Sequence, residues 1–163
     1  MAAGRVRIVL ALALAALLVL LSAPREHEAT ITLVGDVMLG RGVADAVEEH
    51  GSRYPFEQVA AELGRGDLLF GNLECPLTDS GIRIPRVNSL RGSPQMVPVL
   101  AEVGFNALSL ANNHAIDYGR KGLAETCRVL QDGGIAHVGA GRTLAEARSC
   151  RVIEANGVRV GFV

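Results

Sequence analysis

A chain of 163 residues with 49% hydrophobic content is one domain's worth of sequence and can build a core. Sixteen basic residues nearly cancel seventeen acidic ones, leaving a formal charge of −1, so no strongly basic surface is expected and nucleic acid is excluded as a partner. Three cysteines, Cys75, Cys127 and Cys150, are too few and too scattered for a disulfide framework and read as buried thiols.

The first segment is apolar. Arg5 and Arg7 precede an uninterrupted run from Ile8 to Leu21, the pattern of a secretory signal, so the chain is expected to be exported. Leu21 stands where a cleavage site wants a small residue and Pro24 follows Ala23, which favours an uncleaved membrane anchor over 1–23 above a cleaved, secreted form. From Ile8 to Ala23 a helix would span roughly 24 Å at about 1.5 Å per residue, with Arg7 and Arg25 placed to reach the headgroups of a ~30 Å core. Residues 24–29 read as a linker and 30–163 as the globular part.

In chain order, Thr30–Val34 is β-branched and apolar and predicts a buried strand. Val43–Glu49 predicts a short helix, and Phe56–Leu63 a second one opened by Pro55. Asp67–Phe70 predicts the next strand. From Pro76 to Gly92 no apolar period survives among Pro, Gly, Asn and Ser, so this is a long surface loop. A helix then runs to Val103, starting at Ser93-Pro94 or only at Pro98. Ala107–Leu110 predicts the third strand, and Gly122–Gln131 a helix closed by Gly133-Gly134. His137 falls in a short strand, Thr143 and Glu146 form a capping-box spacing, and Asn156-Gly157 joins two alternating runs as a hairpin. The alternation predicts an α/β fold with the three apolar strands adjacent in one largely parallel sheet between helices. The last run is still in strand pattern at Val163, so the chain is expected to be the N-terminal part of a longer domain.

The chemistry gathers where those strands end. Asp36, Glu74 and Asn113 follow the three apolar runs at nearly equal steps along the chain, which suggests equivalent positions at the carboxyl ends of parallel strands, where ligands bind in open α/β sheets. Two carboxylates, an amide oxygen and the His114 imidazole suit Mn, Fe or Zn better than Ca, and no thiolate set is present. Singly, each residue has a plainer reading: Asp36 as a helix cap, Glu74 as a solvated carboxylate, His114 as a satisfied core histidine. Together they read as a metal site in which His114 holds a proton over a leaving group and Asn112 orients its neighbours. Arg41 either pairs with a carboxylate or grips an anionic substrate. Asp117 reads as the cap of the helix beginning near Gly119. His50 and His137 read as structural or exposed.

Gly35-Asp36-Val37-Met38-Leu39-Gly40-Arg41, Asn72-Leu73-Glu74-Cys75-Pro76-Leu77 and Ser109-Leu110-Ala111-Asn112-Asn113-His114-Ala115-Ile116-Asp117-Tyr118-Gly119 resemble, in this order, the signatures of the CapA-type poly-γ-glutamate capsule synthesis proteins. The resemblance runs from about Thr30 to the last residue. It implies a layered sheet like that of the calcineurin-like metallophosphoesterases, with flanking helices. Asp36, Glu74 and Asn113 would ligate divalent ions of Mn, Fe or Zn type, with Glu74 where that superfamily places a bridging Asp. His114 would act as the acid, while Arg41 and Asn112 would bind an anionic polymer or a phosphorylated substrate. Other capsule-synthesis proteins are implied partners. Met38 departs from the wider pattern, which usually has His there, so one of two metals is expected to bind weakly or not at all. Two functions stay open: an exported metal-dependent hydrolase of capsule metabolism, or a non-catalytic accessory protein that binds the polymer.

Overall fold

The computed structural model describes residues 27–163. The expected anchor over 1–23 and the linker residues 24–26 lie outside them. Four parallel strands, β1 (Ile31–Val37), β2 (Leu68–Leu73), β3 (Phe105–Ser109) and β4 (Ala136–Val138), form one sheet in the order β1-β2-β3-β4. The crossovers carry α1 (Gly42–His50), α2 (Ala60–Leu63), α3 (Val97–Val103) and α4 (Gly119–Asp132). A short α5 (Leu144–Ala147) leads into an antiparallel hairpin of β5 (Arg151–Ala155) and β6 (Val158–Phe162). This is the expected α/β arrangement, with the three motif-bearing strands adjacent.

Successive strand residues point to opposite faces, and both faces are used. Leu69, Leu73 and Leu108 pack with Leu100 and Leu130 in the main core on the helical side. Leu68, Ala107 and Val138 face the other way and meet Phe162 of the hairpin, whose ring stacks on Phe70 at 4.9 Å between centroids. The hairpin turn has Asn156 and Gly157 both left-handed (φ 52° and 79°), as a two-residue turn of this type requires. Asp67 pins that turn to the sheet, accepting from the Thr30 amide and from Asn156 Nδ2, each at 2.8 Å. His27, expected only as linker, lies with Nδ1 2.9 Å from the Asn156 carbonyl oxygen.

Several expectations are corrected. β1 is an edge strand among the described residues, not a buried one: Leu33 is 70% exposed and Ile31 also faces out. Both β1 and β2 run further than expected, so Asp36 and Asn72 are register partners inside the ladder, with a register shift between Leu33 and Asp36 re-aiming the strand end. Of the expected Phe56–Leu63 helix only Ala60–Leu63 is regular. Ahead of it Pro55 has no N–H to give, and the main-chain bonds alternate between three- and four-residue steps, as in Phe56 N to Arg53 O and Ala60 N to Phe56 O. Both proline signals before α3 are used: Ser93 Oγ caps a 3-10 turn over Pro94–Met96, and Pro98 sits in the first turn of the helix proper. α4 begins earlier than expected, and its left-handed stop is Gly134 (φ 76°). All three cysteines are free; Cys75 is buried and Cys127 partly so, but Cys150 is exposed at the entry to β5.

Candidate functional site

The close approach of β1 and β2 sets the geometry. A Cβ on Gly71 would stand 2.8 Å from Val34 Cγ2 and 3.1 Å from Val37 Cγ2, so glycine lets the strands meet just before their polar ends. The next residue, Asn72, joins both carboxylates: its Nδ2 donates to Asp36 Oδ1 at 2.8 Å and to Glu74 Oε2 at 2.6 Å. Its Oδ1 accepts from Asn112 Nδ2 at 3.1 Å, and that same nitrogen reaches the Leu73 carbonyl oxygen at 2.8 Å. Asn112 Oδ1 in turn accepts from the His114 amide at 3.0 Å. One hydrogen-bonded chain thus stitches together the ends of β1 and β2 and the segment after β3. Asn72 was not among the sequence candidates. Its signal was there, since residues two apart on a strand share a face and Asn72 precedes Glu74 by two.

His114 is held from behind. Its Nδ1 lies 2.7 Å from Asp117 Oδ2, and its Nε2 faces Glu74 Oε1 at 3.8 Å. The imidazole is 16% exposed and the Glu74 side chain 19%, so the pair sits at the mouth of the cluster. Asp117 is fully buried and does not cap α4, which has no side-chain cap at Tyr118. It accepts instead from His114 and from the Leu90 amide at 2.8 Å, because a buried carboxylate needs donors more than the helix needs a cap. Its Oδ1 is without a hydrogen bond and faces Arg86 Nη1 at 3.6 Å.

The loop from Pro76 to Gly92 closes on itself and on these groups. Gly92 N donates to the Pro76 oxygen, and Thr78 N to the Gly92 oxygen. Glu125 of α4 accepts from the Thr78 hydroxyl and from the Ser80 and Asp79 amides; the Thr78 bond above all holds its carboxyl below the ordinary value. Ile84 N donates to the Asp117 carbonyl oxygen at 2.7 Å, and Arg86 Nη1 to the Asn113 carbonyl oxygen at 2.9 Å. Arg41 makes no ion pair among the described residues; its Nη2 donates to Asn88 Oδ1 of the same loop at 2.8 Å. The Asn113 side chain is exposed and makes no hydrogen bond among the described residues, so it is not drawn into the Asp36–Glu74 cluster. Cys75, next to Glu74, is buried, and desolvation pushes its thiol up to about 11, which keeps it protonated at neutral pH.

Asp36 and Glu74, at the ends of neighbouring strands and both bonded to Asn72 Nδ2, are the oxygen donors here that could hold a divalent cation. Among the described residues no three His, Cys, Asp or Glu side chains close on a common point.

The fold is thus an α/β domain with a linked acid, amide and imidazole cluster at the carboxyl ends of its parallel strands, the place where open α/β sheets bind ligands. The chain belongs to the family described as bacterial capsule synthesis protein PGA_cap, which matches residues 30–163. It is 36% identical over 141 residues to the capsule biosynthesis protein CapA of Bacillus anthracis, covering 83% of this chain and 34% of that protein. It is 33% identical to the PGA biosynthesis protein CapA of Bacillus subtilis, covering 72% of this chain and 31% of the relative. A probable polyglutamine synthesis accessory protein of Mycobacterium tuberculosis is 30% identical, over 76% of this chain and 42% of its own length. The chain therefore spans about a third of the length of the curated relatives it matches.

Proposed function

We propose that this chain serves capsule polymer synthesis outside the cytoplasm, held at the membrane by its N-terminal segment, and that Asp36 and Glu74 hold a divalent ion of Mn, Fe or Zn type. The observation that carries the reading is the bonding of both carboxylates to the single Asn72 nitrogen, at 2.8 and 2.6 Å. A bound ion supplies Lewis-acid polarisation of a substrate oxygen. The protein's own groups supply the rest of a hydrolytic reaction. His114 holds or delivers a proton at Nε2, Asp117 fixes the ring through Nδ1, and Asn112 fixes the main chain that carries it. The substrate is an anionic capsule polymer or a phosphorylated precursor, and other capsule-synthesis proteins are its partners.

A second reading is an accessory protein that binds the polymer without cleaving it. Met38 favours it, because its sulfur accepts the Gly40 amide at 3.1 Å where a histidine would add a ligand.

Elemental analysis of purified wild type and variants tests the metal, and capsule output from the full-length gene tests the role. Glu74→Ala is expected to lower bound metal most. His114→Ala is expected to keep the metal and lose function if the reaction is hydrolytic, and to keep both if the protein only binds polymer. A wild type free of transition metal, or full capsule output from Glu74→Ala, refutes the site.

A further inference from the structure

Beside the candidate site lies an open groove of about 610 Å³, walled by the segment after β3, by α4, by the turn after β4 and by α5. Its walls are largely small and apolar, among them Leu110, Ala115, Leu123, Ala140 and Ala147. Asn113 brings an amide to it, the Asn112 amide being spent on Asn72, Leu73 and His114, and among the described residues Arg86 is the only charged one lining it.

The donors of Arg86 are mostly unspent. Nη1 donates to the Asn113 carbonyl oxygen, while Nε and Nη2 have no partner among the described residues, and the side chain is 43% exposed. A guanidinium carries five N–H groups in a planar fork. The buried Asp117 carboxylate holds this one in place: its Oδ1 faces Nη1 at 3.6 Å, too far for a hydrogen bond, and is itself left without one among the described residues. Arg86 is thus oriented from behind, with its free edge available to a second anion at little further ordering cost.

We propose that Arg86 is the anion-recognition residue of this groove and that the groove takes an aliphatic carboxylate, its acid group on the guanidinium and its methylene stem on the apolar walls. This rests on the capsule-polymer reading and deepens it by naming the ligand chemistry. An inorganic phosphate would satisfy Arg86 and leave the walls uncovered, whereas a γ-linked glutamate chain, whose carboxylates alternate with pairs of main-chain methylenes, fills both halves. Asn112 and Asn113 place the occupant next to His114.

The test is an anisotropy titration of the 163-residue chain with a fluorescent poly-γ-glutamate oligomer. Arg86→Gln is expected to weaken binding roughly tenfold or more, and Arg86→Lys to recover only part of the loss because the fork is gone. Ala147→Leu, which narrows the groove without touching the charge, is expected to weaken binding as well. Millimolar inorganic phosphate is expected to leave the complex intact. Binding by Arg86→Gln or Ala147→Leu within about twofold of wild type overturns the groove assignment while leaving the broader function standing. Release by phosphate overturns the carboxylate-chain assignment, and a wild type that does not bind poly-γ-glutamate overturns the capsule-polymer reading itself.

Discussion

Asp117 illustrates what single residues contribute here. Its carboxylate is fully buried, and burying a charge is costly unless donors surround it. Removing it strands the Leu90 amide and the His114 Nδ1, each an unmet donor costing about 1–3 kcal/mol. Asp117→Ala is expected to lower stability by about 3 kcal/mol in urea unfolding and to abolish the slow exchange of the Leu90 amide. Asp117→Asn is expected to be milder, since one amide oxygen can accept both bonds now made to Oδ2. Unchanged protection of Leu90 in the alanine variant would sink this account. Gly71→Ala is expected to cost about 1–3 kcal/mol through overpacking against Val34 and Val37. The residue types of the cluster were legible in sequence, because Asp36, Glu74 and the Asn112-Asn113-His114 run stand where apolar strands give out. Asp117 was misread because a helix-capping Asp and an Asp three residues behind a histidine look alike until a loop buries one of them. Asn113 shows the converse: its spacing matched the acids, yet only its main chain takes part.

At the scale of elements, strand pairing followed from the sequence and strand length did not. Thr30–Val34 predicted where β1 starts, but its polar end stays in the ladder because β2 supplies a register partner as far as Leu73. The helix expected from Phe56 dissolved into turns because a proline and a β-branched Val59 leave little to propagate it. The hairpin was the clearest signal, and its attachment to the sheet makes a pH prediction. The main-chain bond from Thr30 and then the Asn156 side chain hold the Asp67 carboxyl below its usual value. A carboxylate whose folded pKa is depressed contributes stability that is fully present above the unfolded value, near pH 4, and is lost as pH falls through the lower folded one. Hairpin amide protection is therefore expected to decline below about pH 4, and Asp67→Asn to remove that acid dependence while leaving neutral-pH protection lower throughout. An identical acid profile in both proteins, followed by hydrogen exchange, would refute the pin.

For the whole described domain, stability rests on covering both faces of the sheet. Helices cover one and the β5–β6 hairpin the other, through Phe162 against Phe70, Leu68 and Val138. Phe162→Ala is expected to cost about 3–5 kcal/mol and to weaken β4 and the hairpin together, visible as a lowered urea midpoint with loss of slow exchange on that face. Loss confined to the hairpin would show that it folds as an independent unit. The far side of β1 has consequences of its own. That strand pairs only with β2 among the described residues and turns Leu33 outward at 70% exposure, leaving a row of main-chain donors and acceptors beside an apolar side chain. Such an edge is a template for another strand of the same kind, so concentrated solutions of the isolated chain are expected to grow turbid with time and protein concentration. A single lysine at position 33, Leu33→Lys, is expected to keep them clear by placing a charge that a stacking neighbour would have to bury.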